Sequence, residues 1–287
     1  MRDIISRLRK FQIRIRKAVT TQMHGDFHSI FKGNGLEFND LRAYQYGDDV
    51  RSIDWNASAK GHGTFVKLFR EEREQTVFFL LDVSASQQVG RKGQNKMDLA
   101  KEICGVLALS ALQEQSQVGM VCFSDQKEKY LKPEKGLQQG YVLLSTLFKL
   151  EPRSSQTHLR NAMGFVLNLL RRRSVIVLIS DFIDQDYERT LRALARKHDL
   201  VVIHLLDVRE TALPRLGIIP VFDEESGRTV WRNTSSPQFQ RRMKEAFLTR
   251  QRELERLCRQ NEANYLAVHT NEDFVPALVR LFRVRNQ

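Results

Sequence analysis

The sequence predicts an α/β fold: a doubly wound, mainly parallel sheet. Apolar runs without polar interruption occupy residues 77–81, 118–123 and 175–179, and a fourth run over 200–206 is interrupted only by His204. Such runs are typical of strands that are buried on both faces. Stretches with helical spacing of apolar residues separate them, and this strand–helix alternation favours parallel pairing.

Helices are predicted between and after these strands, over residues 95–114, 137–149, 159–171 and 187–197. A hairpin over 217–231, a long helix over 236–261, a strand over 265–268 and a helix over 273–282 follow. We therefore predict a Rossmann-like α/β domain over 76–210. The C-terminal segment 211–287 is predicted to complete the same domain.

Two further segments precede this domain. Residues 1–23 predict a basic amphipathic helix, because Ile4, Leu8, Phe11 and Ile15 recur at helical spacing. Packing on the body of the protein is its default role, and contact with a partner or an anionic membrane surface stays open. Residues 24–75 are rich in glycine and charge and predict loops with short strands, one of them over 64–69.

Composition narrows the function classes. The chain has 287 residues, 46 Lys and Arg against 34 Asp and Glu, and three cysteines, which we expect to be buried thiols. The net charge of +12 is spread over residues 2–17, 171–173 and 241–259, so nucleic-acid binding stays a minor hypothesis. No apolar run approaches the ~18–20 residues of a membrane span, and the charged N-terminus is unlike a signal peptide, which predicts a cytoplasmic protein.

Familiar enzyme motifs are not found in the sequence. It contains no G-x-x-x-x-G-K-[ST], no H-E-x-x-H and no G-x-S-x-G. Tyr46-Gly47-Asp48-Asp49 shares its letters with the catalytic hairpin of RNA-directed polymerases, but the further metal-binding aspartates and the length of such enzymes are missing. We expect a glycine turn with local hydrogen bonds from Asp48, Asp49, Arg51 and Asp54, and an anchor for this segment in Asp54-Trp55.

A candidate metal site follows from five oxygen-bearing side chains. Asp82, Ser84 and Ser86 follow the first buried strand, Asp181 follows the third, and Thr157 lies in between. Carboxyl ends of parallel strands meet at one edge of a sheet, where ligands bind. Mg²⁺ prefers oxygen ligands. An ordinary turn capped by Asp82 is the alternative, and the strand contexts favour the metal.

The chemistry of these ligands favours binding over hydrolysis. Neutral hydroxyls leave the cation electrophilic, so an open coordination position can accept a carboxylate from a partner. A hydrolytic centre would more often hold its metal with several carboxylates or histidines. Alternatives from other classes are a metal-dependent hydrolase (a phosphatase or nuclease using Asp82 and Asp181) and a nucleic-acid-binding protein.

Residues 76–206 resemble a von Willebrand factor A domain, and the five residues match its metal-ion-dependent adhesion site. The resemblance implies that Ser84, Ser86 and Thr157 contact Mg²⁺, or another divalent cation such as Mn²⁺. It implies that Asp82 and Asp181 act largely through water.

The segment from Gly35 to Glu71 resembles the signature of the bacterial family called "domain of unknown function 58". That resemblance implies a non-enzymatic protein-interaction module, an adaptor or co-chaperone of a MoxR-type AAA+ ATPase in protein assembly or stress tolerance. The partner would be this ATPase, or a client protein that offers an acidic residue.

Overall fold

A computed structural model describes residues 37–60, 63–70, 75–91, 93–211, 215–223 and 228–285. The helix predicted over 1–23 lies outside these residues. In chain order the elements are β1 (Glu37–Ala43), α1 (Trp55–Lys60), β2 (Phe65–Arg70), β3 (Thr76–Asp82), β4 (Gly90–Arg91), β5 (Gln94–Asn95), α2 (Lys96–Gln113), β6 (Gln117–Phe123), β7 (Lys127–Glu134), α3 (Leu137–Lys149), α4 (Leu159–Leu169), β8 (Val175–Ser180), α5 (Glu188–Lys197), β9 (Asp199–Leu206), α6 (Val208–Thr211), β10 (Ile218–Asp223), β11 (Arg228–Asn233), α7 (Pro237–Gln260), β12 (Asn264–His269) and α8 (Val275–Arg285).

A six-stranded sheet forms the centre, in the order β12-β9-β8-β3-β6-β7. Neighbouring strands run parallel from β12 to β6, and only β7 is antiparallel, against β6. The predicted mainly parallel sheet is therefore confirmed. β7 was not predicted, because its sequence KEKYLKPE alternates charged and half-buried positions at the edge of the sheet.

Helices cover both faces of this sheet, as a doubly wound fold requires. Phe79 and its neighbours on one face of β3 pack in a core with α2, α3 and α8. Phe78 faces the other way, into a core with α4, α5 and α7. Both side chains are fully buried. This double burial explains why the strand segment carries apolar residues at successive positions.

The chain reverses direction across the sheet beside β3. It runs from β3 through α2 to β6 on one side, and later returns through β8 on the other side of β3. Ligands of open α/β sheets bind in the crevice at such a switch point, beyond the carboxyl ends of the strands. Asp82 ends β3 and Asp181 directly follows β8, so both lie at this position.

The segment before the sheet forms an antiparallel pair of β1 and β2 around α1. Asp48 accepts two hydrogen bonds from Arg42, at 2.7 and 2.8 Å, and the side chain of Asp49 accepts from the Arg51 amide. Asp54 caps α1 by accepting from the amides of its second and third residues, at 3.0 Å. The prediction that Trp55 anchors this segment was wrong. Trp55 is the first residue of this short helix, and its side chain is 67% exposed to solvent.

The remaining predicted elements form close to their predicted positions. β10 and β11 pair as the predicted hairpin, whose turn at 224–227 lies outside the described residues. In the part of the chain that is described, no helix has both the length and the apolar character to cross a membrane. The domain boundaries stay a prediction.

A buried histidine at the end of α5 gives an expected pH dependence. His198 is 1% exposed, and neither ring nitrogen has a hydrogen-bond partner among the described residues. Burial, with the nearby charges of Lys197 and Arg173, lowers its pKa to about 4. The unfolded chain takes up this proton near pH ~6.5, so the folded state loses stability as the pH falls from there towards the lowered pKa.

We expect this group to lower the free energy of unfolding by about 2 kcal/mol between pH ~7.5 and ~5. His198→Leu removes the group, so the stability of the variant should fall less over the same interval. Urea unfolding at both pH values measures the difference. The same loss in both proteins would contradict a lowered pKa at this position.

Candidate metal centre

The end of β3 is organised around a buried carboxylate. Asp82 and Ser84 are both 0% exposed. Asp82 Oδ1 accepts hydrogen bonds from the Ser84 amide at 3.0 Å and from Ser84 Oγ at 2.7 Å. Because the hydroxyl proton points to the carboxylate, the lone pairs of Ser84 Oγ stay available to a cation.

A second hydroxyl lies beside the first. Ser84 Oγ and Ser86 Oγ are 3.1 Å apart. Adjacent oxygen ligands of an octahedral Mg²⁺, at ~2.1 Å from the metal, are themselves about 3.0 Å apart. The two serines are thus spaced as neighbouring ligands of one small cation.

The end of β8 approaches the same carboxylate from the other side. Ser180 Oγ donates to Asp82 Oδ2 at 2.6 Å and accepts from the Phe182 amide at 3.0 Å. Asp181, 2% exposed, follows directly. Burial, and after it the negative charge of Asp181, raise the pKa of Asp82 to about 6, against the hydrogen bonds from Ser180 and Ser84. A cation placed between the two aspartates would relieve this repulsion.

Thr157 is held beside the turn by the backbone of its own loop. The carbonyl of Ser155 accepts a hydrogen bond from the Ala85 amide at 3.0 Å, and the His158 amide donates to the Ser124 carbonyl at 3.1 Å. Thr157 itself is half-buried. The fold therefore brings Asp82, Ser84 and Ser86 together through side-chain hydrogen bonds and places Asp181 in electrostatic range of Asp82. Main-chain contacts bring the loop of Thr157 to the same place.

The structure places a lysine side chain at this site, which the sequence did not predict. Lys96, the first residue of α2, is fully buried, and its Nζ lies 2.5 Å from Asp181 Oδ2 and 2.5 Å from Glu210 Oε1. Burial alone would lower the pKa of Lys96, but the two carboxylates raise it. A cation in the first turn of a helix opposes the helix dipole. That misfit was the one signal in the sequence of a nearby acidic partner.

A divalent cation fits these residues by the chemistry of their donors. The hydroxyls are neutral oxygen ligands, and the two buried aspartates supply compensating charge. Among the described residues no group of three or more His, Cys, Asp or Glu is placed to hold a metal. The candidate site is thus a hydroxyl-rich one.

Comparisons with known proteins place the chain among bacterial relatives of unknown role. Residues 40–253 match the family described as "Protein of unknown function DUF58". An uncharacterized protein of Mycobacterium tuberculosis is 27% identical over 283 residues, which cover 98% of this chain and 89% of the relative.

Two solved structures are also similar to the chain. BatB of Bacteroides thetaiotaomicron aligns at 14% identity with a TM-score of 0.46, over 72% of this chain and 96% of that chain. The VWA domain of SpRpn10 aligns at 10% identity with a TM-score of 0.37, over 71% of this chain and 93% of that chain.

Proposed function

The chain belongs to the DUF58 family of proteins of unknown function, and from the site at its switch point we propose that it is a non-enzymatic interaction protein. It binds a partner through Mg²⁺, or another divalent cation such as Mn²⁺. Its ligands are Asp82, Ser84, Ser86, Thr157 and Asp181.

The pair of serine hydroxyls carries the proposal. Their oxygens lie 3.1 Å apart at the end of β3, beside a buried carboxylate that accepts the Ser84 proton. Ser84, Ser86 and Thr157 would contact the cation, and Asp82 and Asp181 would supply charge. Such a bound cation offers a Lewis-acidic position that accepts a carboxylate oxygen.

The arrangement favours binding of a partner over catalysis of hydrolysis. Asp82 is fully buried, and both of its oxygens already accept hydrogen bonds, from Ser84 and Ser180. A general base acts on a water or substrate within hydrogen-bonding distance, and a fully buried carboxylate has little access to either. These contacts commit Asp82 to holding the hydroxyls in place.

We propose a MoxR-type AAA+ ATPase as the partner, or a client protein of that ATPase with an exposed acidic residue. This part of the proposal rests on the family resemblance. The chain would then act in the cytoplasm as an adaptor or co-chaperone in protein assembly or stress tolerance.

The test is Mg²⁺-dependent binding of the purified chain to the MoxR-type ATPase of the same genome. Asp82→Asn keeps the shape of the side chain but removes its charge, and we expect it to weaken binding at least about 10-fold. Asp186→Asn changes an exposed carboxylate five residues after Asp181 and should bind as the wild type does. EDTA should abolish the binding of both the wild type and Asp186→Asn.

Equal binding by Asp82→Asn and the wild type would contradict the proposal. Metal-dependent turnover of a phosphoester that disappears in Asp82→Asn would replace it with the hydrolase. Binding to nucleic acid that survives EDTA and weakens steeply with salt would favour the third hypothesis.

A further inference from the structure

Four ionisable groups lie in contact or in electrostatic range at the switch point. Lys96 Nζ bridges Asp181 and Glu210, and the charge of Asp181 acts on Asp82. Lys96, Asp181 and Asp82 are buried, and the side chain of Glu210 is 15% exposed. Charges in such a site are screened weakly, so their balance decides which ion enters.

Counted as formal charges, Asp82, Asp181 and Glu210 contribute three negative charges and Lys96 contributes one positive charge, a net charge of −2. We propose that Lys96 and Glu210 match the charge of the site to one divalent cation. The inference rests on the proposed metal site and adds its selectivity.

Glu210 keeps its place independently of Lys96. Its Oε2 accepts a hydrogen bond from the Asp207 amide at 3.0 Å, at the start of α6. Asp207 Oδ2 in turn accepts from Thr270 Oγ1 at 2.6 Å, and Arg209 donates to the Gly90 carbonyl. Since several segments fix this turn, Glu210→Gln should change the charge of the site and keep its shape.

Lys96 in turn forms an ion pair with Asp181. Its ammonium lies on Oδ2, while Oδ1 accepts from the Ile183 amide at 3.3 Å. Both oxygens of Asp181 are thus engaged, which orients the carboxylate and lets it act on the cation through its charge. Loss of Lys96 would leave three carboxylates without a cation, and a divalent ion would then be drawn in more strongly.

The experiment is calorimetric titration of the purified chain and three variants with Mg²⁺ and with Tb³⁺, in one buffer at neutral pH. Glu210→Gln changes the net charge of the site from −2 to −1, and we expect it to weaken Mg²⁺ binding about 10- to 100-fold. Lys96→Met changes the net charge of the site to −3, and we expect tighter Mg²⁺ binding and a shift of preference towards Tb³⁺.

The double variant Lys96→Met with Glu210→Gln returns the cluster to −2. Its affinity for Mg²⁺ should return to within about threefold of the wild type, since the charge and not the bridge sets the affinity. This variant also keeps the test intact if Lys96→Met alone does not fold, because it leaves no excess buried charge.

The outcomes separate the two proposals. Weaker Mg²⁺ binding in every variant, or none of these shifts, would show that Lys96 and Glu210 serve stability alone and would overturn the charge-matching inference. A wild-type chain that binds no divalent cation would overturn the proposed function, and the inference with it.

Discussion

A chain with both Ser84→Ala and Ser86→Ala is expected to lose Mg²⁺ binding while it keeps its fold. The change removes two neutral oxygen ligands, 3.1 Å apart, and leaves every charge of the site in place. Of the proposed ligands, only Thr157 and the two carboxylates would then remain, without the adjacent pair of serine hydroxyls. A defect would therefore identify direct ligation and not a changed electrostatic field.

Chemical unfolding with and without Mg²⁺ measures this loss. At a hundredfold excess of Mg²⁺ over its Kd, the wild type should gain about 2.7 kcal/mol of stability, and the double variant should gain none. The matched control is Ser110→Ala with Ser116→Ala, which removes two buried hydroxyls that have no partner in the described structure. A full Mg²⁺ gain in Ser84→Ala with Ser86→Ala would show that the metal is held elsewhere.

Gly119→Val is expected to destabilise the protein by about 3 kcal/mol, because it overpacks the centre of the sheet. A Cβ at Gly119 would lie 2.8 Å from Pro133 Cγ and 2.9 Å from two ring carbons of Phe78. Phe78 is fully buried on the adjacent strand β3, so its ring has no free space to move into.

Urea unfolding measures the change, with Gly164→Ala as the control. Gly164 lies in α4, where an added Cβ meets nothing within 4 Å. Since alanine favours a helix over glycine, this substitution should raise the free energy of unfolding by up to about 1 kcal/mol. Similar effects of the two substitutions would show that the contact with Phe78 does not limit the space at Gly119.

The fold could be predicted from sequence where burial leaves a simple pattern. β3, β6, β8 and β9 are buried on both faces, and their apolar runs mark them. β7 left no such pattern, because an edge strand with charges on one face resembles a loop. Trp55 was placed wrongly because a large aromatic residue usually packs, while here it begins a short helix on the surface.

The candidate site divides in the same way. Asp82 and Asp181 could be placed together from the sequence, because both follow predicted strands and the carboxyl ends of parallel strands meet. Lys96 and Glu210 could not, since they are 114 positions apart and charged residues usually face solvent. Ser180, buried beside Asp82, looked like the last residue of an ordinary strand.

The position of β12 at one edge of the sheet has a consequence for synthesis of the protein. Lys96, Asp181 and Glu210 leave the ribosome well before residues 264–269, which form β12 and pair with β9. Until then β9, an almost wholly buried strand, presents an unpaired apolar edge. Such edges recruit other chains. A polypeptide that stops before β12 should therefore aggregate, even though it already contains each residue of the candidate metal site.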